Sequence, residues 1–134
     1  MRALLALVLV AATPALAQET MEPGEWEFQI VITAPGMPKP QPMYYRHCVT
    51  KEQANDPLRW GGNPSQPTDC RVTTLKKGPG TSSWKMSCPS TGMTGTGSAR
   101  FFRGSMESET QVGGGNSVDI RTKTTGRRVG PCKP

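Results

Sequence analysis

The sequence predicts a mainly β protein: a single antiparallel curled sheet, or a small barrel or half-barrel, with one short helix in a long loop and two disulfides. Residues 84–112 carry the strongest signal, because small or apolar residues alternate with polar ones and Gly-containing turns separate the stretches. A period of two places one wall of a sheet on a core and the other in water. Four cysteines accompany a weak core composition, since only 34% of the residues are hydrophobic.

The amino terminus has the pattern of a signal peptide over residues 1–17. Arg2 supplies a basic start, residues 3–12 form an apolar run, and the segment ends on a small-x-small cleavage site at Ala17. The run is too short to span a bilayer, which takes about 20 residues. We expect cleavage near Ala17, no membrane span, and one domain over residues 18–134 that is soluble in the periplasm or secreted.

The first two predicted strands occupy residues 25–32 and 43–49. In the first, the apolar positions are Trp26, Phe28, Ile30 and Ile32. The Pro-rich residues 34–42 are read as a stiff exposed connection. His47 in the second strand is the only histidine of the chain, so a zinc site with several histidines is excluded. We expect His47 to be hydrogen-bonded at the sheet surface.

A short helix is predicted over residues 51–55. Thr50 and Gln53 have the spacing of a capping box, and the helix is expected to end before Pro57. Trp60 lies in the irregular loop that follows. We expect this side chain to fill an open end of the barrel, with stacking on a ligand or partner as its alternative role.

The remaining strands are predicted at residues 69–75, within 84–112, and at 117–125. In the last of them the positions expected to face inward are Val118, Ile120 and Thr122. Gly92, Gly95 and Gly97 are expected where the sheet curves strongly, because glycine in a strand often marks such a bend. Residues 126–132 are read as a tail that closes the chain.

The four cysteines are expected to form two structural disulfides. Cys48, Cys70, Cys88 and Cys132 allow three pairings, and none of them has Cys-x-x-Cys spacing. We predict Cys48–Cys70 and Cys88–Cys132. The first bond would link the strands that flank the helix, and the second would tie the tail to the central strands. Bonds of this kind persist in an exported protein, and reduction is expected to unfold the domain.

Several segments together resemble a family of bacterial exported proteins, domain of unknown function family 3617. The resemblance rests on segments beginning at Pro23, Pro35, His47, Asp69, Trp84, Gly92 and Gly126, and it covers nearly the whole chain after residue 17. It implies a β-rich periplasmic or secreted domain. It implies no catalytic or ligand-binding residues.

The formal charge of +6 bears on possible partners. Without Arg2 the balance is 15 basic against 10 acidic side chains. Such a surface attracts anions, so an anionic envelope component is one expected partner and a small apolar ligand is another. Nucleic acid is not expected, because the chain is read as exported and does not interleave aromatic with basic residues.

These observations favour a non-catalytic binding protein of the cell envelope. The alternative is a protein-interaction or inhibitor module that uses Trp60, Arg127 and Arg128. An enzyme is not expected, because no nucleophile elbow or metal signature is present, and no cofactor is predicted. Copper binding is a further alternative, because thioethers favour Cu(I) and Met37 and Met43 flank the Pro-rich connection.

Overall fold

A seven-stranded antiparallel sheet forms the protein in the computed structural model, which describes residues 21–55, 69–114 and 117–134. The elements are β1 (Gly24–Thr33), β2 (Met43–Val49), α1 (Lys51–Asn55), β3 (Arg71–Gly78), β4 (Thr81–Cys88), β5 (Met93–Phe102), β6 (Ser105–Gly114) and β7 (Ser117–Gly130). The prediction of a mainly β fold with one short helix is confirmed. The signal-peptide prediction concerns residues outside these ranges.

The strand order is β2-β1-β7-β6-β5-β4-β3. Strands β3 to β7 follow one another as a meander, and β1 pairs with the carboxyl-terminal strand β7. Within the described residues, β2 and β3 each pair along one side only, so the sheet is open with these two strands at its edges. Of the architectures predicted from the sequence, the single antiparallel sheet is the one observed.

The two faces of the sheet differ in burial. We call the face that carries Trp26 and Phe28 the core face, and the face that carries Glu27 the outer face. The buried core on the first face comprises Met21, Trp26, Phe28, Val49, Ala54, Ala99, Phe101 and Met106. Met21 precedes β1 and Ala54 belongs to α1, so the core lies between the sheet and these two segments. Trp26 and Phe28 are buried and their neighbours in β1 are less so, which confirms the predicted alternation in the first half of this strand.

Local signals also placed the helix correctly. The Gln53 backbone N–H donates to Thr50 Oγ1 at 3.3 Å, and the Thr50 N–H donates to Gln53 Oε1 at 3.0 Å. This reciprocal arrangement is the predicted capping box, and it satisfies two backbone donors at the start of α1. The helix covers the residues that the spacing predicted.

Glycines on the core face make room for large side chains of the neighbouring strands. A Cβ atom added to Gly97 would overlap the indole of Trp84, and one added to Gly126 would lie 2.7 Å from Phe28. Gly97 is paired with Trp84 across β5 and β4, and Gly126 with Phe28 across β7 and β1. Each aromatic ring therefore lies over a glycine backbone, a packing known to support glycine in strands.

We expect Gly97→Ala to destabilise the protein by about 1–3 kcal/mol, the usual effect of adding atoms to a well-packed site. The added methyl group would displace the Trp84 indole from its place over β5. Chemical denaturation followed by Trp fluorescence measures the change. The control is Ser98→Ala, at the neighbouring exposed position of the same strand. Equal stability of the two variants would contradict the packing role of Gly97.

The predicted disulfide pairing is wrong. The observed bonds are Cys48–Cys132, with 5.4 Å between the Cα atoms, and Cys70–Cys88, with 4.0 Å. The physical reason is the strand order. Cys48 in β2 is paired with Glu25 in β1, whose partner on the other side is Gly130 in β7, so Cys132, two residues beyond Gly130, lies within reach of Cys48. Cys70 directly precedes β3, which among the described strands pairs with β4 alone.

Each disulfide consequently joins one edge strand to the sheet. Cys48 ties β2 to the end of β7, and Cys70 ties the start of β3 to the end of β4. Beside the second bond, Asp69 accepts hydrogen bonds from the Ser90 backbone N–H at 2.5 Å and from its hydroxyl at 2.7 Å. These bonds hold the pKa of Asp69 below its usual value. The Ser90 turn and the start of β3 are thus fixed together.

Candidate functional site

An apolar band crosses the part of the core face that the buried core does not cover completely. We define this apolar band as two adjacent cross-strand rows of residues. The rows are Ile120, Val112, Gly95, Met86 and Val72, and Ile32, Thr122, Thr110, Gly97, Trp84 and Leu75. Leu75 is 44% exposed, Val72 45% and Ile120 38%. Large apolar side chains therefore reach solvent along this face.

The middle of the apolar band is shaped by small and polar residues. Gly95 and Gly97 lie beneath Met86 and Trp84, which lean over β5 from β4. Thr110 in β6 and Thr122 in β7 are paired directly and bring hydroxyl groups to the same row. The band therefore has apolar ends and hydrogen-bonding groups between them. Val118 is also predicted to face inward, but the structure does not describe its side chain.

The outer face carries an ion cluster that the sequence did not reveal. Glu27 in β1 lies between Arg46 of β2 and Arg127 of β7, its direct partners on both sides. The Nε and Nη2 groups of Arg46 donate to Glu27 Oε2 at 3.2 and 3.0 Å. Those of Arg127 donate to Oε1 at 3.2 and 2.8 Å. One carboxylate thus joins three adjacent strands by two-pronged hydrogen bonds.

Hydrogen bonds from Arg127 and then from Arg46 hold the pKa of Glu27 below its ordinary value of 4.5. A folded-state pKa below the unfolded value stabilises the fold above the unfolded pKa, and this contribution is lost as pH falls through the folded pKa. The window for Glu27 therefore lies below about pH 4.5. The cluster is expected to keep its form throughout the neutral and mildly acidic range.

We expect Arg127→Gln to raise the pKa of Glu27 towards the ordinary value, because the largest stabilising partner of the carboxylate is removed. An NMR titration of the Glu27 side-chain carboxyl signal measures this. Lys76→Gln serves as the control, because Lys76 lies on β3 at the opposite edge of the sheet and carries the same charge. A Glu27 pKa that moves equally in both variants would contradict the pairwise origin of the shift.

The two arginines proposed as contact residues lie on opposite faces. Arg127 binds Glu27 on the outer face. Arg128 pairs with Trp26 at the end of the core face, and its Nε group donates to the Pro23 carbonyl at 2.9 Å. Residues 126–130, expected to be a tail, belong to β7, and a strand alternates its side chains. The two arginines therefore do not share a contact surface, and Trp60 lies outside the described residues.

The other candidate residues occupy separate positions. Met37 lies in the turn after β1, Met43 begins β2, and both are about half exposed. His47 Nε2 is 3.2 Å from Gln53 Oε1, so the imidazole joins β2 to the capping box as expected of a hydrogen-bonded surface histidine. Within the described ranges, no group of three or more His, Cys, Asp or Glu side chains is arranged to hold a metal ion.

In the part of the chain that the structure describes, seven antiparallel strands with a disulfide at each sheet edge define a small disulfide-linked β domain. The chain belongs to the family described as "Protein of unknown function (DUF3617)", whose model matches residues 21–132. No curated protein and no solved structure gives a significant match. The disulfides are consistent with an exported protein, because they persist in oxidising compartments. Among the helices of the described residues, none has the length and hydropathy needed to cross a membrane.

Proposed function

We propose that the protein is a non-catalytic binding protein of the bacterial cell envelope, and that it binds a small apolar ligand on the apolar band. The observation that carries the proposal is the exposure of Val72, Leu75 and Ile120 on the same face as the core. Export to the periplasm after removal of residues 1–17 is part of the proposal. It is supported by the pattern of that segment and by two disulfides.

The dimensions of the apolar band favour a small, elongated ligand over a protein partner. The band runs across six strands from β1 to β3, and strands lie about 4.8 Å apart, so it is about 24 Å long. Its two rows give a width of about 14 Å, hence an area of roughly 300 Å². A stable protein interface buries about 800 Å² on each partner. An extended hydrocarbon chain matches this long, narrow shape.

Two threonines give the apolar band hydrogen-bonding groups, which a bound ligand would have to match. Thr110 and Thr122 lie between apolar side chains, where their hydroxyls accept or donate hydrogen bonds. A few placed polar groups in an apolar surface orient a ligand and give specificity. The ligand class proposed is therefore an acyl-chain compound with a polar group near the middle of its bound length.

The test combines isolation with reconstitution. Native mass spectrometry of the protein from its own cell envelope is expected to show extra mass over the processed, twice-oxidised chain. A polyene fatty acid, whose fluorescence rises when it leaves water, is expected to bind the purified protein. Leu75→Glu places a charge in the apolar band and is expected to weaken that binding about tenfold or more.

Thr74→Glu is the matched control, because Thr74 is the neighbouring exposed residue of β3 and is paired with Lys85 on the outer face. Binding to this variant is expected to stay within about twofold of the unchanged protein. Thermal melts of both variants check that the fold is intact. A bare mass from the envelope, together with equal probe binding by the two folded variants, would refute the proposal.

A further inference from the structure

A depression of about 310 Å³ lies on the outer face, away from the apolar band, where β2, β1 and β7 run side by side. It is lined by Glu27, Phe28, Gln29, Tyr44, Thr125, Gly126 and Arg127. Strand alternation places the side chains of these residues, except those of Phe28 and Gly126, on the outer face. Gln29 is paired with Tyr44 on one side and with Thr125 on the other. This volume is at the lower end of the range for small-molecule sites, about 300–1,000 Å³. The depression therefore has room for about one ring and its substituents.

The charges at the depression favour an anion. Arg127 lines the depression, and Arg46 lies beside it on the other side of Glu27. Both arginines bind the Glu27 carboxylate, so this cluster of three side chains has a net charge of +1. Each guanidinium has five N–H donors, and Glu27 takes two from each. The remaining donors belong to side chains that are 58% and 70% exposed. The hydrogen bonds to the shared Glu27 carboxylate limit the motion of both guanidinium groups.

The other lining groups suit a ring that carries hydroxyls. Tyr44 is 67% exposed and offers a flat aromatic surface at the edge of the depression. Such a ring packs against the C–H face of a pyranose at low cost in conformational entropy. The Gln29 amide presents both a donor and an acceptor, and the Thr125 hydroxyl does the same. Neighbouring sugar hydroxyls both donate and accept hydrogen bonds, so they match this combination of groups.

We infer that the outer-face depression binds an acidic saccharide, with the sugar ring on Tyr44, its hydroxyls on Gln29 and Thr125, and its acidic group on Arg127 and on the adjacent Arg46 beside the depression. The class includes any pyranose that bears a carboxylate or a phosphate. This site is separate from the apolar band, because strand alternation puts the two sets of side chains on opposite faces. It does not depend on the proposed apolar ligand.

The experiment uses NMR titration of the oxidised protein with three probes: trigalacturonate, neutral maltotriose and inorganic phosphate. Trigalacturonate is expected to shift the backbone amides of residues 27–29, 44–46 and 125–127 and to bind about tenfold or more tightly than either other probe. Tyr44→Ala and Arg46→Gln are each expected to weaken trigalacturonate binding about tenfold.

Two control variants separate a defined site from general attraction. Lys76→Gln removes the same charge as Arg46→Gln at the far edge of the sheet, and Phe102→Ala removes another exposed aromatic ring. Both are expected to change binding by about twofold or less. Equal losses in Lys76→Gln and Arg46→Gln would overturn the inference in favour of a diffuse basic surface. Phosphate binding as tight as trigalacturonate binding, or no shifts in the three segments, would also overturn it.

Discussion

Replacing Cys48 and Cys132 together by Ala is expected to lower the free energy of unfolding by about 4.6 kcal/mol in the chain-entropy model, because this bond closes a loop with a sequence separation of 84. Replacing Cys70 and Cys88, which are 18 residues apart, is expected to remove about 3.2 kcal/mol. Both values are large beside the total stability of a small domain, about 5–15 kcal/mol. Guanidinium denaturation of the two double variants measures the difference.

Reduction of both bonds is therefore expected to unfold the domain or to lower its melting temperature strongly near neutral pH. A larger loss of stability in the Cys48 and Cys132 variant than in the Cys70 and Cys88 variant is a sharper check. The disulfide pairing predicted from the sequence would not produce this difference. Each variant also frees one edge strand, β2 or β3, whose amides are expected to exchange faster with solvent. An unchanged melting temperature in reductant would rule out a structural role for these disulfides.

The strands could be predicted from the sequence because their signal is local. In β5 and β6, the period of two identified the exposed side chains correctly, as Thr96 and Glu109 illustrate. The helix was predicted from one capping box, which needs only the spacing of Thr50 and Gln53. Such features depend on residues a few positions apart, so the sequence contains them directly.

The disulfide pairing could not be predicted in the same way, because it depends on strand order. The meander from β3 to β7 is what neighbouring strands usually form, but β1 lies between β2 and the last strand. Only this order brings Cys132 next to Cys48. Without knowledge of this strand order, the prediction paired Cys70 and Cys88 with the wrong cysteines. Four cysteines leave three choices, and local patterns do not distinguish them.

The outer-face cluster was missed for the same reason. The alternation of β1 places Glu27 on the side opposite Trp26 and Phe28, but Arg46 and Arg127 are 19 and 100 residues away from it in sequence. Their contact needs the register on both sides of β1. The one available signal was the length of β7: extending it through Arg127 and Arg128 places these arginines on opposite faces.

Phe28→Ala is expected to destabilise the protein by about 3–5 kcal/mol, the usual cost of truncating a fully buried aromatic side chain. Phe28 is 0% exposed and stacks on Tyr45 and Trp26, with ring centroids 5.0 and 6.1 Å apart. Its ring also covers Gly126, which has no side chain to fill the space that Phe28 would leave. The site is therefore unable to collapse around the cavity, and the cost is expected in the upper part of that range.

Phe102→Ala is the matched control for this prediction, because Phe102 ends β5 and is 48% exposed. The same atoms are removed, but little of their surface is taken out of water in the folded state, so a change of about 0.5 kcal/mol is expected. Urea denaturation of both variants under oxidising conditions measures the two values with the disulfides intact. Similar losses for the two phenylalanines would mean that the core does not lie over β1 and β7, and the assignment of the core face would be wrong.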